Sequence, residues 1–264
     1  MATLTIDRHP SGVATLTMSR PEVFNAFDET MIAEMDAAFA TLMDDGAVRI
    51  IVLAGAGKHF SAGADMQWMR RASEASFDWN VDDARRFAAM LARIESCPKP
   101  TVARVHGAAL GGGVGLACAC DIAIASDIAS FSVSEAKFGI LPAVIGPYLV
   151  NAVGKRQARR LALTTERIDA TEALAIGLVQ RVVPAAGLDQ AVEATVRQLS
   201  AGGPNAHREI KAYLAQLAVA PITPEVRELS AQTIARVRGT EEAREGFDAF
   251  LNKRPPKWNV PSAS

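Results

Sequence analysis

Two turns of very small residues, Ser61–Asp65 and Gly111–Gly115, constrain this chain more than any other feature. Each follows an apolar run typical of a buried strand, and each precedes a segment with helical character. Without large side chains, backbone N–H groups can approach a ligand closely, and a helix start leaves such groups unpaired at the positive end of its dipole. The two turns therefore suit an anion or a developing oxyanion.

The structural alternative is that both turns are only tight corners where chain segments cross. One turn alone would favour that alternative, whereas two turns of the same design make a functional role at least as well supported. The sequence lacks the dinucleotide-binding G-x-G-x-x-G, the P-loop and the nucleophile elbow G-x-S-x-G at these places. His59 next to Ser61 suggests a serine hydrolase, but two polar loop residues explain this pair more simply.

Strand-like and helix-like segments alternate through the first two thirds of the chain, which predicts an α/β core with parallel crossovers. Only helices are expected after Pro184. The polar segment Ser73–Asp82 has no clear period and is interpreted as a mobile surface segment. Predicted strands are Thr3–Arg8, Val13–Met18, Val48–Ala54, Thr101–Val105 and Asp121–Ala125, and predicted late helices are Leu188–Leu199, Asn205–Leu217, Thr223–Arg238 and Thr240–Leu251.

Composition excludes several classes of partner. The net charge of the 264 residues is −1, so nothing favours binding to nucleic acid or to an anionic membrane. Neither a secretory signal nor a membrane-spanning run is apparent. The cysteines and histidines lack metal-ligand spacing, so no metal is expected. Free thiols in an apolar setting fit a cytoplasmic protein. The cysteines are Cys97, Cys118 and Cys120, and the histidines are His9, His59, His106 and His207.

Several motifs along nearly the whole chain, in the right order, resemble those of the crotonase (enoyl-CoA hydratase/isomerase) superfamily. The strongest are the A-G-A-D turn and the glycine-rich second signature. The segment Phe131–Pro142 is similar to the one that carries a catalytic glutamate. The matching stretches are Arg20–Ala26, Phe60–Met66, Gly107–Ala123, Phe131–Pro142, Arg181–Pro184 and Phe250–Arg254.

This resemblance implies an α/β spiral of β-β-α turns followed by a C-terminal helical region. Residues 1–200 would form the spiral core, and residues 201–264 a helical region for oligomerisation and for covering CoA. The family usually assembles as homotrimers or homohexamers. Its substrates are acyl-CoA thioesters, so CoA arrives with the substrate and no separate cofactor is expected.

The resemblance also assigns residues. The N–H groups of Ala64 and Gly112 would hold the thioester oxyanion, and Glu135 would be the general acid/base. Lys253 would meet a CoA phosphate, from a neighbouring subunit in one arrangement, although a solvated lysine at a helix end is the equal alternative. Residues that would line the CoA and acyl path are Ala62, Ala64, Asp65, Met66, Gln67 and Gly112.

The chain departs from the family pattern in two places. Typical hydratases carry a second glutamate where Gly115 stands, and many relatives have I-P-G-x-G-G where this chain has Leu141–Pro147. Hydration of a branched enoyl-CoA is favoured, since the chain looks most like bacterial methylglutaconyl-CoA hydratases. A single-glutamate isomerase and a non-catalytic acyl-CoA binder remain alternatives; RNA binding fits poorly. A second substrate carboxylate would need a cation, for which the candidates are Arg70, Arg71 and Lys137.

Overall fold

The computed structural model of the protein describes residues 2–259. It is an α/β fold, as predicted. Its strands are β1 (Leu4–His9), β2 (Val13–Met18), β3 (Ile50–Gly55), β4 (Thr101–Val105), β5 (Ala108–Leu110), β6 (Ile122–Ser126), β7 (Ser130–Ser132), β8 (Ile168–Asp169) and β9 (Arg181–Val183). Its helices are α1 (Glu29–Asp44), α2 (Met66–Glu74), α3 (Phe77–Glu95), α4 (Gly112–Ala119), α5 (Gly146–Thr164), α6 (Ala170–Ala175), α7 (Leu188–Ser200), α8 (Pro204–Leu214), α9 (Pro224–Arg238) and α10 (Glu241–Leu251).

The main sheet has six strands in the order β1-β2-β3-β4-β6-β9. Only β1 and β2 are antiparallel, joined by the predicted turn at residues 9–12, and the other neighbours are parallel. Every residue of β3 is buried, as its continuous apolar run predicts for a strand covered on both faces. Helices α1, α3 and α4 cover one face, and α7 covers the other.

A second, three-stranded sheet has the order β5-β7-β8. The sequence prediction missed these strands, because runs of two or three residues are too short to show a period of two. Strand β5 lies between β4 and the glycine turn, so the glycine turn does not follow β4 directly as predicted. This short strand is the one that positions the glycine turn.

The segment Ser73–Asp82, which shows no clear period in the sequence and is interpreted above as a mobile surface segment, is helical on both sides of a break at residues 75 and 76. Its residues end α2 and begin α3. The Ser76 hydroxyl caps α3 by accepting a hydrogen bond from the Trp79 N–H at 3.2 Å, and the Asn80 side chain donates to the Ala72 carbonyl at 2.9 Å. A polar stretch can thus be a helix start, because caps use polar side chains rather than apolar periodicity.

After β9 the described chain is helical, as predicted, through α7 to α10. Helices α8 and α9 bury no residue within this chain. Apolar side chains on these last helices and their linkers are largely exposed, among them Ile210, Leu214, Ile222, Phe247 and Phe250. Within residues 2–259, no helix is both long enough and apolar enough to cross a membrane.

Asp28 is the N-cap of α1, as predicted, and it is also an ion-pair partner. Its carboxylate accepts from the Met31 N–H at 3.0 Å and lies 3.2 Å from Nη1 of Arg20. We expect Asp28→Ala to lower the free energy of unfolding by about 1–2 kcal/mol. Urea denaturation measures this change. Asp7→Ala, in an exposed part of β1, is the control and should leave the midpoint unchanged; equal effects would contradict the capping role.

Candidate active site

A cavity of about 700 Å³ lies where the loop 61–65, the glycine turn and the segment 134–145 meet. Most of the residues predicted from the sequence line it, namely Ala62, Ala64, Asp65, Met66, Gln67, Gly112 and Glu135. Lys253 does not line this cavity in the single chain. It follows α10 with a left-handed backbone, at a φ of 52°.

The loop before α2 is fixed by backbone pairing on two sides. On one side, the Phe60 N–H donates to the His106 carbonyl at 2.9 Å, and the Leu110 N–H donates to the Ser61 carbonyl at 2.9 Å. On the other, the Phe27 N–H donates to the Gly63 carbonyl at 2.8 Å. The loop thus acts as an extra strand between β5 and the chain that precedes α1.

Ser61 belongs to this framework rather than to the chemistry. It is fully buried, and its hydroxyl donates to the Asn25 carbonyl at 2.8 Å and accepts from the Gly63 N–H at 3.1 Å. A hydroxyl with both roles occupied in a buried position has no free geometry for nucleophilic attack. The serine-hydrolase alternative is therefore unsupported.

Glycine is required at two positions by close approach of the chain. A Cβ atom on Gly63, whose φ is 83°, would lie 2.5 Å from the Leu110 carbonyl oxygen. A Cβ atom on Gly112 would lie 2.1 Å from Cζ of Phe27. Both distances are far inside van der Waals contact, so a side chain at Gly63 would push the two turns apart, and one at Gly112 would displace the buried Phe27 ring.

The turns present two unpaired backbone donors at the cavity. Neither the Ala64 N–H nor the Gly112 N–H has a hydrogen-bond acceptor in the part of the chain that the structure describes. Gly112 is the first residue of α4, where the helix dipole adds partial positive charge. Two such donors at one cavity form a place for a developing negative charge on oxygen.

Two residues of the matching stretch Arg20–Ala26, Arg20 and Asn25, stabilise the loop before α2. The Arg20 guanidinium donates to Asp65 at 3.0 Å and also contacts Asp28, so that one side chain joins the N-caps of α1 and α2. Burial tends to raise the pKa of Asp65, but hydrogen bonds from the backbone of α2 and from Arg20 outweigh it and hold the pKa below its usual value. Asp65 is thus a charged cap rather than a proton carrier.

Asn25 is the second brace. It is fully buried in the left-handed region, with a φ of 55°. Its amide nitrogen donates to the carbonyls of Ala56, His59 and Phe60 at 2.8, 2.8 and 3.2 Å. The motif was recognised from the sequence, but this bracing role became visible only in the structure.

Glu135 begins a short 3₁₀ turn, Glu135–Phe138, and faces the glycine turn. Its Oε1 lies 3.3 Å from the point where a Cβ on Gly111 would stand. Its Oε2 is buried and has no hydrogen-bond partner within residues 2–259. Burial raises the pKa of this carboxyl, and the nearby backbone N–H groups of Glu135 and Ser134 offset part of the rise. Such a group exchanges protons close to neutral pH more readily than an exposed glutamate.

The cavity has an apolar end and a charged rim. The rings of Phe27 and Phe87 are 5.1 Å apart, and those of Phe27 and Trp68 are 6.2 Å apart, so an aromatic cluster forms the apolar end. Lys137 and Arg167 line the exposed rim. Sequence reasoning missed Arg167. This residue directly precedes β8, far along the chain from the other cavity residues, and no local motif marks it.

The other two cations considered from the sequence lie elsewhere. Arg70 and Arg71 do not line the cavity. Arg71 pairs with Glu29 at 2.7 Å on the surface. Of the three candidates, Lys137 alone faces the cavity.

A buried carboxylate beside two unpaired backbone donors defines a site that can move a proton next to a stabilised enolate oxygen. Comparisons with known proteins agree. Residues 8–261 match the family model described as Enoyl-CoA hydratase/isomerase, and the chain belongs to this family. It is therefore an enzyme of this kind, a hydratase or an isomerase, and the family acts on acyl-CoA thioesters.

Similar solved structures and a curated relative span nearly the full length. An enoyl-CoA hydratase from Shewanella pealeana superposes with a TM-score of 0.94 and 39% identity, covering 97% of this chain and 96% of that one. One from Mycobacterium smegmatis gives a TM-score of 0.92 and 36% identity, covering 98% and 100%. A trans-2-decenoyl-[acyl-carrier-protein] isomerase of Streptococcus mutans is 32% identical, covering 94% of this chain and 95% of its own.

Loss of the Asn25 amide should loosen the whole site. We expect Asn25→Ala to lower the free energy of unfolding by about 2–4 kcal/mol, because buried carbonyls lose their donor, and to reduce kcat/KM in parallel. Asn25→Gly is the matched control, since glycine adopts the same positive φ without strain. If Asn25→Gly restored wild-type stability in urea denaturation, backbone conformation rather than the amide would be the cause.

Proposed function

We propose that the protein hydrates an enoyl-CoA with a branched, uncharged acyl group, and that Glu135 is its general acid/base. The observation that carries the proposal is the half-buried carboxylate of Glu135, whose Oε2 is buried without a hydrogen-bond partner among residues 2–259, at a cavity that also holds the free N–H groups of Ala64 and Gly112. This set provides what addition of water to an enoyl thioester requires: an oxyanion site and one group that relays a proton.

In the proposed reaction, the thioester oxygen accepts hydrogen bonds from the Ala64 and Gly112 N–H groups. Glu135 orients a water molecule and accepts one of its protons while the water oxygen bonds to the β-carbon. The electron pair of the double bond moves toward the thioester, where the two N–H groups stabilise the enolate oxygen. Glu135 then gives the proton to the α-carbon and returns to its starting state, so one carboxylate completes the addition.

The apolar end of the cavity supports an uncharged acyl group. Phe27 and Trp68 are almost fully buried there, whereas the cations Lys137 and Arg167 lie at the exposed rim. A carboxylate at the far end of the acyl chain would meet no cation from the described residues. This favours a branched hydrocarbon chain over a second carboxylate.

The rim cations suit the phosphates of CoA. Neither Lys137 nor Arg167 forms an ion pair with another part of the described chain, residues 2–259. The segment Ala62–Gln67 leads from this rim toward the oxyanion site and would border the pantetheine arm. We further propose that the exposed apolar helices after residue 200 contact other copies in a homotrimer or homohexamer, where Lys253 would reach a neighbour's CoA.

Isomerisation of an enoyl-CoA is the second candidate. It needs only one base that moves a proton between two carbons, and a relative 32% identical to this chain is named as an isomerase. Incubation with a 2-enoyl-CoA and with a 3-enoyl-CoA separates the two reactions. Loss of enoyl-thioester absorbance from the 2-enoyl substrate, with a product heavier by one water, supports hydration, whereas appearance of that absorbance from the 3-enoyl substrate supports isomerisation. No change with either across a substrate panel would contradict both.

Glu135→Gln keeps the shape of the side chain but cannot carry the proton. We expect it to lower kcat by about 10²- to 10⁴-fold, with little change in CoA binding measured by calorimetry. Glu74→Gln, at the exposed end of α2, is the control and should retain wild-type turnover. Undiminished kcat in Glu135→Gln would remove the assignment.

The pH dependence should report the burial of Glu135. The carboxyl must be deprotonated to accept a proton from water, and burial raises its pKa above the usual value. The acidic limb of kcat/KM should therefore lie above about pH 4.3, the ordinary glutamate value, and the Glu135→Gln residual activity should lack that limb. A wild-type rate that stays constant down to pH 4.3, with circular dichroism showing a folded protein, would contradict this.

A further inference from the structure

Ile145 occupies the space that a side chain at position 115 would need. A Cβ atom built on Gly115 would lie 2.4 Å from Cγ2 and 2.9 Å from Cβ of Ile145. Gly115 lies in α4 and is buried, and Ile145 is the N-cap of α5, which packs on α4. No side chain fits at 115 while Ile145 keeps its place.

Ile145 has little freedom to give way. Its side chain is branched at Cβ, the close contacts fall on this Cβ and on Cγ2 next to it, and only 2% of the residue is exposed. Two hydrogen bonds hold the backbone here. The Gly146 N–H donates to the Pro142 carbonyl at 2.8 Å, and the Leu149 N–H donates to the Ile145 carbonyl at 3.0 Å. The clash would therefore move backbone rather than a flexible side-chain end.

Ile145 is also a wall of the cavity that holds Glu135. A side chain at 115 that displaced it would reach the same wall. Both positions depart from the family pattern. Typical hydratases carry a glutamate where Gly115 stands, and the I-P-G-x-G-G pattern of many relatives has a glycine where Ile145 stands. The pair therefore decides whether this wall is apolar or carries a second acid.

We propose that Gly115 and Ile145 form a coupled pair in which Ile145 is a specificity-determining residue: it excludes a second acid and presents an apolar surface to the acyl group. This rests on the proposed function, since it makes Glu135 the proton carrier that faces the substrate among the described residues. The packing half of the proposal can be tested without any substrate.

The packing test measures Gly115→Ala in two backgrounds by thermal denaturation. With Ile145 present, the added methyl group should lower Tm by about 4–8 °C. With Ile145→Ala, the same change should raise Tm, because the methyl fills vacated space and alanine favours the helix. Gly187→Ala, at a glycine with open space around it and an ordinary φ of −99°, is the control and should leave Tm nearly unchanged. Equal shifts of Gly115→Ala in both backgrounds would overturn the pairing.

The chemical test restores an acid to the wall. Gly115→Glu/Ile145→Ala should hydrate linear but-2-enoyl-CoA at least 10-fold faster than Gly115→Gln/Ile145→Ala, which has the same shape without the acid. Equal rates in the two double variants would overturn the claim that the pair controls the second acid. If the wild-type protein hydrates no enoyl-CoA while the Tm effect still reverses sign, the proposed function fails and the packing pair stands.

Discussion

The site depends on the close backbone pairing between the loop 60–64 and the chain around β5. This pairing is possible only where side chains are absent: a Cβ on Gly63 would meet the Leu110 carbonyl at 2.5 Å, and one on Gly113 would meet the Ser61 carbonyl at 2.7 Å. The approach brings the start of α2 beside the start of α4. The unpaired N–H groups of Ala64, just before the cap of α2, and of Gly112, at the start of α4, then face one cavity.

Polar side chains stabilise this pairing of the loop 60–64 with the chain around β5. Their hydrogen bonds offset the free-energy cost of burying them. Arg20 links the caps Asp28 and Asp65, and Asn25 ties three carbonyls of the loop that follows β3. Buried polar networks are favourable only when fully satisfied. This network fixes the loop that carries the Ala64 N–H, one of the two proposed oxyanion donors, and preorganised donors stabilise a transition state without reorganising during the reaction.

The sequence predicted the features that depend on local pattern. The strand β3, the cap Asp28, the late helices and the two small-residue turns all follow from periodicity, capping or composition. Resemblance placed Glu135, and the structure sets it beside the glycine turn. Most of the features that were missed depend on distant contacts and leave no local signal: the short strands β5, β7 and β8, the rim residue Arg167, and the contact of Ile145 with Gly115. The helical ends within Ser73–Asp82 were missed for another reason, because they depend on local caps such as Ser76 rather than on apolar periodicity.

The proposed chemistry depends on one half-buried carboxylate, that of Glu135, in the wall of a cavity with an apolar end. With the apolar Ile145 over Gly115, the proposed proton carrier among residues 2–259 is Glu135, and burial raises the pKa of its carboxyl above the usual glutamate value. The most direct test of this account is mass spectrometry of the product formed from a 2-enoyl-CoA in water labelled with ¹⁸O. The account predicts a hydroxyacyl-CoA that has gained one labelled water. A product of unchanged mass, with its double bond moved, would contradict it.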